Sequence, residues 1–316
     1  MRKLLKITGI ILGLILLFII GTGIYINTKG IPYYETESIE YVHQSSPEIL
    51  ERGHKLTTAL CANCHRNPET GTLAGKHMDD APAEWGYVYA QNITRDETYG
   101  IGSWTDAEIK YLIRTGIGRD GRYYPPYMAK LPLMADSDIN AIIAFLRSDH
   151  PMVVADSTPD KPCQPSFLAK ALSNFVIKPL PYPKETISTP DTNNSIEMGK
   201  YYAINFECFG CHSPDFKTIN MLEPEKTPGY FSGGNAMINP YGETILTSNL
   251  TPSQSGIGDW SKEKFIRAVK SGIKDGEEAL RPPMAPYSML TDKEVGAIFD
   301  YLQTIPAIEN KVERDI

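Results

Sequence analysis

The sequence predicts an all-α protein: two tandem copies of one helical unit behind a single N-terminal transmembrane helix. Three observations predict this. An uncharged apolar stretch runs from Ile7 to Ile26. Elsewhere, apolar residues recur at helical rather than alternating spacing. A series of short motifs in the first half returns in the same order in the second. At 316 residues the chain is long enough for two modest domains. The formal charge of −7 gives no support to a nucleic-acid partner; it suits a soluble surface or one that meets a basic redox protein.

Arg2, Lys3 and Lys6 precede the apolar stretch. Twenty helical residues span about 30 Å, the thickness of a bilayer's hydrocarbon core. A cleaved signal peptide would have a shorter apolar region ending in a small-x-small site. Here the stretch continues through Ile24-Tyr25-Ile26, so a retained signal anchor over residues 1–28 is expected. The three basic residues stay in the cytoplasm, and everything after Lys29 faces the other side. Gly30 to Gln44, polar and tyrosine-rich with Pro32, reads as a tether.

Ser46-Pro47-Glu48 then marks a helix start, with a capping serine and a proline in the first turn. Ile49, Leu50, Leu56 and Leu60 give it an apolar face, and it delivers the chain to Cys61-Ala62-Asn63-Cys64-His65. This is C-x-x-C-H, the attachment signature of covalent c-type haem. Two thiols three apart lie on one face of a helical turn and can form thioethers to one porphyrin. The histidine that follows can bind the iron from beneath the same ring. The signature recurs at Cys208-Phe209-Gly210-Cys211-His212, so two covalently bound haem c groups are expected. A shared zinc would leave both histidines unexplained, and 147 residues separate the pairs. A thioredoxin-type dithiol would need a strand–helix setting that neither copy has. Thioether attachment belongs to the outer face of the bacterial energy-conserving membrane, in agreement with the predicted topology. Cys163, the fifth cysteine, is left without a role.

A loop from Arg66 to Ser103, long for an ordinary domain, is reasonable if it wraps a macrocycle. Thr105-x-x-Glu108 is a capping box for a helix carrying Ile109, Leu112 and Ile113 and stopped at Gly116. A further helix runs from Ile139 to Arg147. Pro151 to Pro190 reads as a linker, with a short helix from Ser166 to Asn174. The second half then replays the first. Met198-Gly199-Lys200 echoes Arg52-Gly53-His54, Asn249-Leu250-Thr251 echoes Asn92-Ile93-Thr94, and Gly256-Ile257-Gly258-Asp259-Trp260 echoes Gly100-Ile101-Gly102-Ser103-Trp104. Lys270-Ser271-Gly272-Ile273 echoes Arg114-Thr115-Gly116-Ile117, and Thr291-x-x-Glu294 caps a last helix with Val295, Ile298, Phe299 and Leu302. The offset is 147 at the haem histidines and 156 from the tryptophans onward, which puts the added residues between Ser213 and Gly234.

The repeat also selects the second axial ligand of each iron. At offset 156, Met128 falls on Met284; no other methionine finds a methionine partner there. Each follows prolines that stiffen the backbone. Met134 and Met289 are the next candidates, and His77 is a rival at the first haem. Methionine is also common core filler. Trp104 and Trp260 could pack at a haem edge or be ordinary core residues. Asn92 and Asn249 fit a turn role better than glycosylation.

With these motifs on view, the chain resembles a membrane-anchored dihaem c-type cytochrome with tandem class I-like domains. It is similar to the multihaem cytochrome subunits of membrane-bound alcohol and sugar dehydrogenases, which usually show three such domains. The resemblance covers Ser46 to Ile308. It implies residues 46–152 as cytochrome c domain 1, 153–190 as linker and 191–310 as cytochrome c domain 2, after a 29–45 tether. It implies an electron carrier rather than an enzyme, with His65, Met128, His212 and Met284 on iron, anchored in the bacterial inner membrane with its haem domains on the periplasmic side. The donor and acceptor proteins stay open. A dihaem peroxidase with one open haem is the alternative, and a cytochrome fixed in a larger complex is a third.

Overall fold

The computed structural model describes residues 2–239, 241–273 and 279–312. The first helix, α1 (Arg2–Lys29), projects from the body with its apolar side chains exposed; only its last turns touch the rest, where Ile26 is buried. It is the one helix among the described residues long and apolar enough to cross a membrane.

Each half is then organised by two helices crossing at a glycine. In the first half α2 (Pro47–Leu60) begins where the Ser46 hydroxyl accepts from the Ile49 amide at 3.2 Å, with Pro47 in its first turn, as the sequence predicts. The short turn α3 (Ala62–His65) and α4 (Asp106–Thr115) follow. The Thr105/Glu108 capping box starts α4, and Gly116, at φ +82°, ends it. α5 (Asp136–Leu146) starts three residues before the expected Ile139 and packs across α2. A Cβ on Gly53 would stand 2.0 Å from the Ala141 carbonyl oxygen, so only glycine allows this approach. After α6 (Phe167–Phe175), the second half repeats the plan. α7 (Ser195–Asn205) leads to α8 (Cys208–His212), α9 (Lys262–Ser271) and α10 (Asp292–Leu302). A Cβ on Gly199 would lie 1.9 Å from the Ala297 carbonyl oxygen of α10. The echo of Arg52-Gly53-His54 in Met198-Gly199-Lys200 is therefore an echo of contact.

The molecule is helix-rich but departs from the all-α expectation. The loops that follow the Cys-x-x-Cys-His turns are extended, and extended backbone finds ladder partners rather than stay unbonded. Three short antiparallel pairs result among the described residues. β1 (Lys76–His77) pairs with β3 (Tyr89–Ala90), β2 (Gly86–Tyr87) with β4 (Gln164–Pro165), and β5 (Ala236–Ile238) with β6 (Thr244–Leu246).

Both segments read as tether and linker are fastened to the first half. The Tyr34 amide donates to Gly121 O at 2.8 Å, the Tyr123 amide to Pro32 O at 3.2 Å, and His43 contacts Asp106 at 2.8 Å. Further on, β4 sits on β2, the Leu180 amide donates to Thr115 O, and Asp136 and Ile187 exchange two hydrogen bonds. The short helix expected from Ser166 is α6, capped by the Ser166 hydroxyl.

The two halves share one apolar core, which runs from Leu56, Ile139 and Phe145 to Tyr202, Phe206 and Leu302 without interruption. A polar cluster crosses the same boundary. Asp138 and Glu294 occupy equivalent places near the starts of α5 and α10. Arg52 donates to both oxygens of Asp138 at 2.9 and 2.7 Å and to Glu294 at 3.2 Å. Lys55 pairs with Glu294 at 3.0 Å. Tyr201 of the second half donates to Asp138 at 2.7 Å, and Tyr202 donates to Glu294 at 3.0 Å. Each carboxylate is thus held from both halves. Burial alone would raise the Glu294 carboxyl, but the Thr291 amide and Lys55 outweigh it and leave it below its ordinary range.

Substitutions test this architecture. Gly53→Ala or Gly199→Ala forces a methyl onto a carbonyl, and overpacking of this kind costs about 1–3 kcal/mol. Each should lower the melting temperature and the yield of haem-loaded protein, whereas Gly13→Ala, in open space on α1 with an ordinary helical φ, should lose far less by the same assays. Arg52→Ala takes a cation from two carboxylates and should cost about 3 kcal/mol, the low end for a buried pair because 25% of the Arg52 side chain is exposed and Lys55, Tyr201 and Tyr202 remain. A carboxyl depressed in the fold contributes stability above its unfolded pKa and loses it as pH falls through the folded one. Lys55 helps to hold the Glu294 carboxyl down, so the wild type's advantage over Lys55→Ala, read from urea midpoints, should shrink on acidification through the carboxylate range.

Candidate haem-attachment sites

α2 and α7 each hand over to a single turn that carries two thiols and an imidazole. At the start of α3 and within it, Cys61, Cys64 and His65 are partly buried; in α8, Cys208, Cys211 and His212 are too. Burial pushes the Cys61 and Cys208 thiols up to about 12, aided by the neighbouring Cys64 and Cys211, and raises Cys64 and Cys211 to about 11. Thiols held protonated are poor thioredoxin-type nucleophiles. Among the described residues no three His, Cys, Asp or Glu side chains converge as a zinc site requires.

The imidazoles are aimed by the main chain. His65 Nδ1 lies 2.7 Å from Gln91 O, and His212 Nδ1 lies 2.8 Å from Ser248 O. A carbonyl can only accept, so in each ring Nδ1 carries the proton and the lone pair falls on Nε2. Burial keeps His65 below the ordinary imidazole range, with the Gln91 carbonyl opposing, so the ring is neutral at pH 7. A neutral imidazole with Nδ1 committed to a carbonyl is the donor a metal requires.

The acceptors are themselves fixed by the Asn-x-Thr repeats. Asn92 Oδ1 accepts from the Thr94 amide at 2.9 Å and hydroxyl at 2.7 Å; Asn249 Oδ1 accepts from Thr251 at the same two distances. Both asparagines are buried, which fits the expected turn role. Gln91 and Ser248 immediately precede these turns. Sequence reasoning missed them because a backbone acceptor leaves no residue-type signature; their position before the Asn-x-Thr echo was the available signal. The Gly-Ile-Gly-x-Trp segments lie against the same turns. Cβ atoms on Gly100 and Gly256 would each come within 2.3 Å of the Thr94 or Thr251 carbonyl oxygen. The Gly75 and Gly233 amides close the loop onto the carbonyls of His65 and His212, both at 2.7 Å. The residues added in the second half fall between His212 and Gly233, as expected from the offsets.

Met128 and Met284 lie in matching loops. The Met128 amide donates to Pro125 O and the Met284 amide to Arg281 O. Tyr124 bonds to Gly116 as Leu280 bonds to Gly272, and Leu131 to Ile113 as Tyr287 to Val269, every pair at offset 156. Both methionines are partly buried. Met134 is fully buried in the core, and its counterpart Leu290 fills the same kind of position, so it behaves as filler. Met289 is 36% exposed. His77 pairs with the exposed Asp79 at 2.7 Å. Trp104 and Trp260 are partly buried against the core, with Arg119 5.3 Å over one ring and Lys264 4.4 Å over the other.

The halves meet with exchanged partners. Ala59, Ala62 and Asn63 of the first attachment region face Pro286, Tyr287 and Met289 of the second half. Asn205 and Phe209 of the second face Lys130, Leu131 and Pro132 of the first. Glu207, the residue before Cys208, sits at φ +53°, a left-handed conformation that non-glycine residues seldom adopt. Its carboxyl accepts from the Lys130 backbone amide and feels the charge of the buried Lys130 ammonium, which donates to Pro125 O at 2.7 Å; it is also close enough to Cys64 and Cys211 to oppose ionisation of both thiols. Burial pushes the carboxyl up and the ammonium down, with the pairing opposing each.

The donor set fits covalent haem: paired thiols on one turn, then a neutral imidazole with a fixed tautomer. The comparisons agree. Residues 50–149 match the family described as Cytochrome c. The fructose dehydrogenase cytochrome subunit of Gluconobacter japonicus is 30% identical over 269 residues, 82% of this chain and 53% of that protein. The cytochrome c subunit of a quinone alcohol dehydrogenase from Komagataeibacter europaeus is 28% identical over 78% of this chain and 54% of its own length. The chain thus spans about half the length of these curated relatives. A dihaem cytochrome c-type protein of Cereibacter sphaeroides is 28% identical over 84% of this chain and 91% of its own length. The chain therefore carries a cytochrome c domain, binds haem c, and is related to cytochrome subunits of dehydrogenases and to a dihaem cytochrome c, as a multihaem cytochrome would be.

Proposed function

We propose that the chain is a dihaem electron carrier, anchored by α1 in the bacterial inner membrane, with residues 46–152 and 191–310 each holding one haem c on the periplasmic side. Cys61 and Cys64 hold one group and Cys208 and Cys211 the other. His65 and Met128 bind the first iron, and His212 and Met284 the second. The observation that carries this reading is the shared hydrogen-bond register of the Met128 and Met284 loops beside two histidines oriented in the same way.

Bound haem supplies one-electron iron chemistry. The protein's part is to keep both axial ligands in place in either oxidation state. His65 and His212 are held by main-chain carbonyls, and the methionine loops by amide bonds within their own turns. A thioether favours reduced iron, so His/Met ligation raises the potential relative to bis-His. Trp104 and Trp260, each preceding a capped helix, would pack at the haem edges. The joined core fixes one attachment region against the other, which suits transfer between the two groups. The dehydrogenase subunits among the relatives favour a dehydrogenase as electron donor, met through a redox interface, with a further protein as acceptor.

Met128→Ala and Met284→Ala should each remove about half of the weak red absorption that marks thioether sulfur on ferric iron. Each variant should then bind carbon monoxide at one haem when reduced, where the wild type binds none. A variant that keeps the whole band refutes the ligand at that haem. Carbon monoxide binding by the reduced wild type would point to an open haem and the peroxidase reading.

A further inference from the structure

We infer that α6 is a second membrane contact, a helix lying in the lipid headgroup region beside the exit of α1 and fixing the first half against the bilayer surface. The inference rests on the reading of α1 as a membrane anchor.

α6 presents two unlike faces. Ala169 and Ser173 are fully buried against the protein. At 3.6 residues per turn, Phe167, Ala171, Phe175, Leu168 and Leu172 fall on an arc of about 140° on the other side. On that arc Phe167 is 53% exposed, Leu168 48% and Phe175 59%, and Val176 just beyond the helix is 69% exposed. The arc carries no charged residue. Large apolar side chains clustered on one helix face mark a contact rather than a soluble surface.

Position identifies what covers this face. α6 is bonded to the last residues of α1 and to those just after it. Lys170 Nζ donates to Asn27 Oδ1 at 2.8 Å, and Asn174 Nδ2 donates to Gly30 O at 2.8 Å. The arc therefore stands at the level where α1 leaves the hydrocarbon. Tyr25, Tyr33 and Tyr87 are also exposed in this neighbourhood, Tyr87 through the β2–β4 pair that leads into α6. Tyrosine is enriched at both membrane–water interfaces. Lys29 at the end of α1, Lys170 on α6 and Lys178 just beyond it put cations beside this face, as on the polar side of an interfacial helix. An apolar face opposite a protein-bound one is the arrangement of an interfacial helix.

The test uses the full haem-loaded chain in nanodiscs of phosphatidylethanolamine and phosphatidylglycerol, with no other protein present. In a Cys163→Ser background, nitroxides are placed by Leu168→Cys, Phe175→Cys, Leu14→Cys and, as an aqueous control, Glu197→Cys. Collision with oxygen is compared with collision with a water-soluble nickel chelate. Labels at 168, 175 and 14 should favour oxygen several-fold over the label at 197. If 14 is in lipid and 168 and 175 match 197, α6 faces water or awaits a protein partner, and the inference is overturned while the anchor stands. If 14 also matches 197, the anchor reading fails and the inference falls with it.

Discussion

Two hydrogen bonds decide what this protein can hold. A ring nitrogen of His65 and one of His212 are each committed to a backbone carbonyl, and that commitment leaves the opposite nitrogen as a lone-pair donor. Much of the neighbouring sequence serves the carbonyl. Gln91 and Ser248 are set by buried Asx turns at Asn92 and Asn249, and those turns are clasped by glycines too close-packed to bear a side chain. An imidazole hung on a loop without this support would rotate or protonate. Here the loop is braced because the ring must not move.

The second constraint is that the halves are joined through their sites as well as beside them. The attachment region of each half rests on the loop that follows the other half's methionine, and Glu207 lies close to cysteines from both motifs. Arg52, Lys55, Tyr201 and Tyr202 then tie Asp138 and Glu294 across the same boundary. Electron exchange between two centres is sensitive to their separation, and a common core with exchanged contacts holds that separation better than a flexible linker would. The interface is near but not fully symmetric: where it has Lys130 and Glu207, the repeat supplies Pro286 and Leu60 at the matching places.

Much of this was legible in the sequence because it is local. Caps at Ser46, Thr105 and Thr291, the stop at Gly116, the short helix after Ser166 and the two Cys-x-x-Cys-His turns all follow from residues within a few positions of one another. The matching of the Met128 and Met284 loops was legible through register, since the same motifs recur in both halves at one offset. What escaped was non-local. Gly53 and Gly199 look like poor helix residues until the crossing helix is in place. Outside α6, the 29–45 and 153–190 stretches lack periodicity because many of their backbone bonds go to the first half. The strand pairs are too short to leave a pattern, and the meeting of the halves depends on Arg52 and Tyr201, residue types that would serve equally well on an open surface.

The central claim is that each half binds one covalent haem. The most direct measurement is the intact mass of the purified full-length chain after acid denaturation, which strips non-covalent cofactor. The account predicts a polypeptide heavier by two haem groups, one located on the peptide containing Cys61 and Cys64 and one on the peptide containing Cys208 and Cys211. A chain that carries fewer than two, or none at one of those peptides, would contradict it.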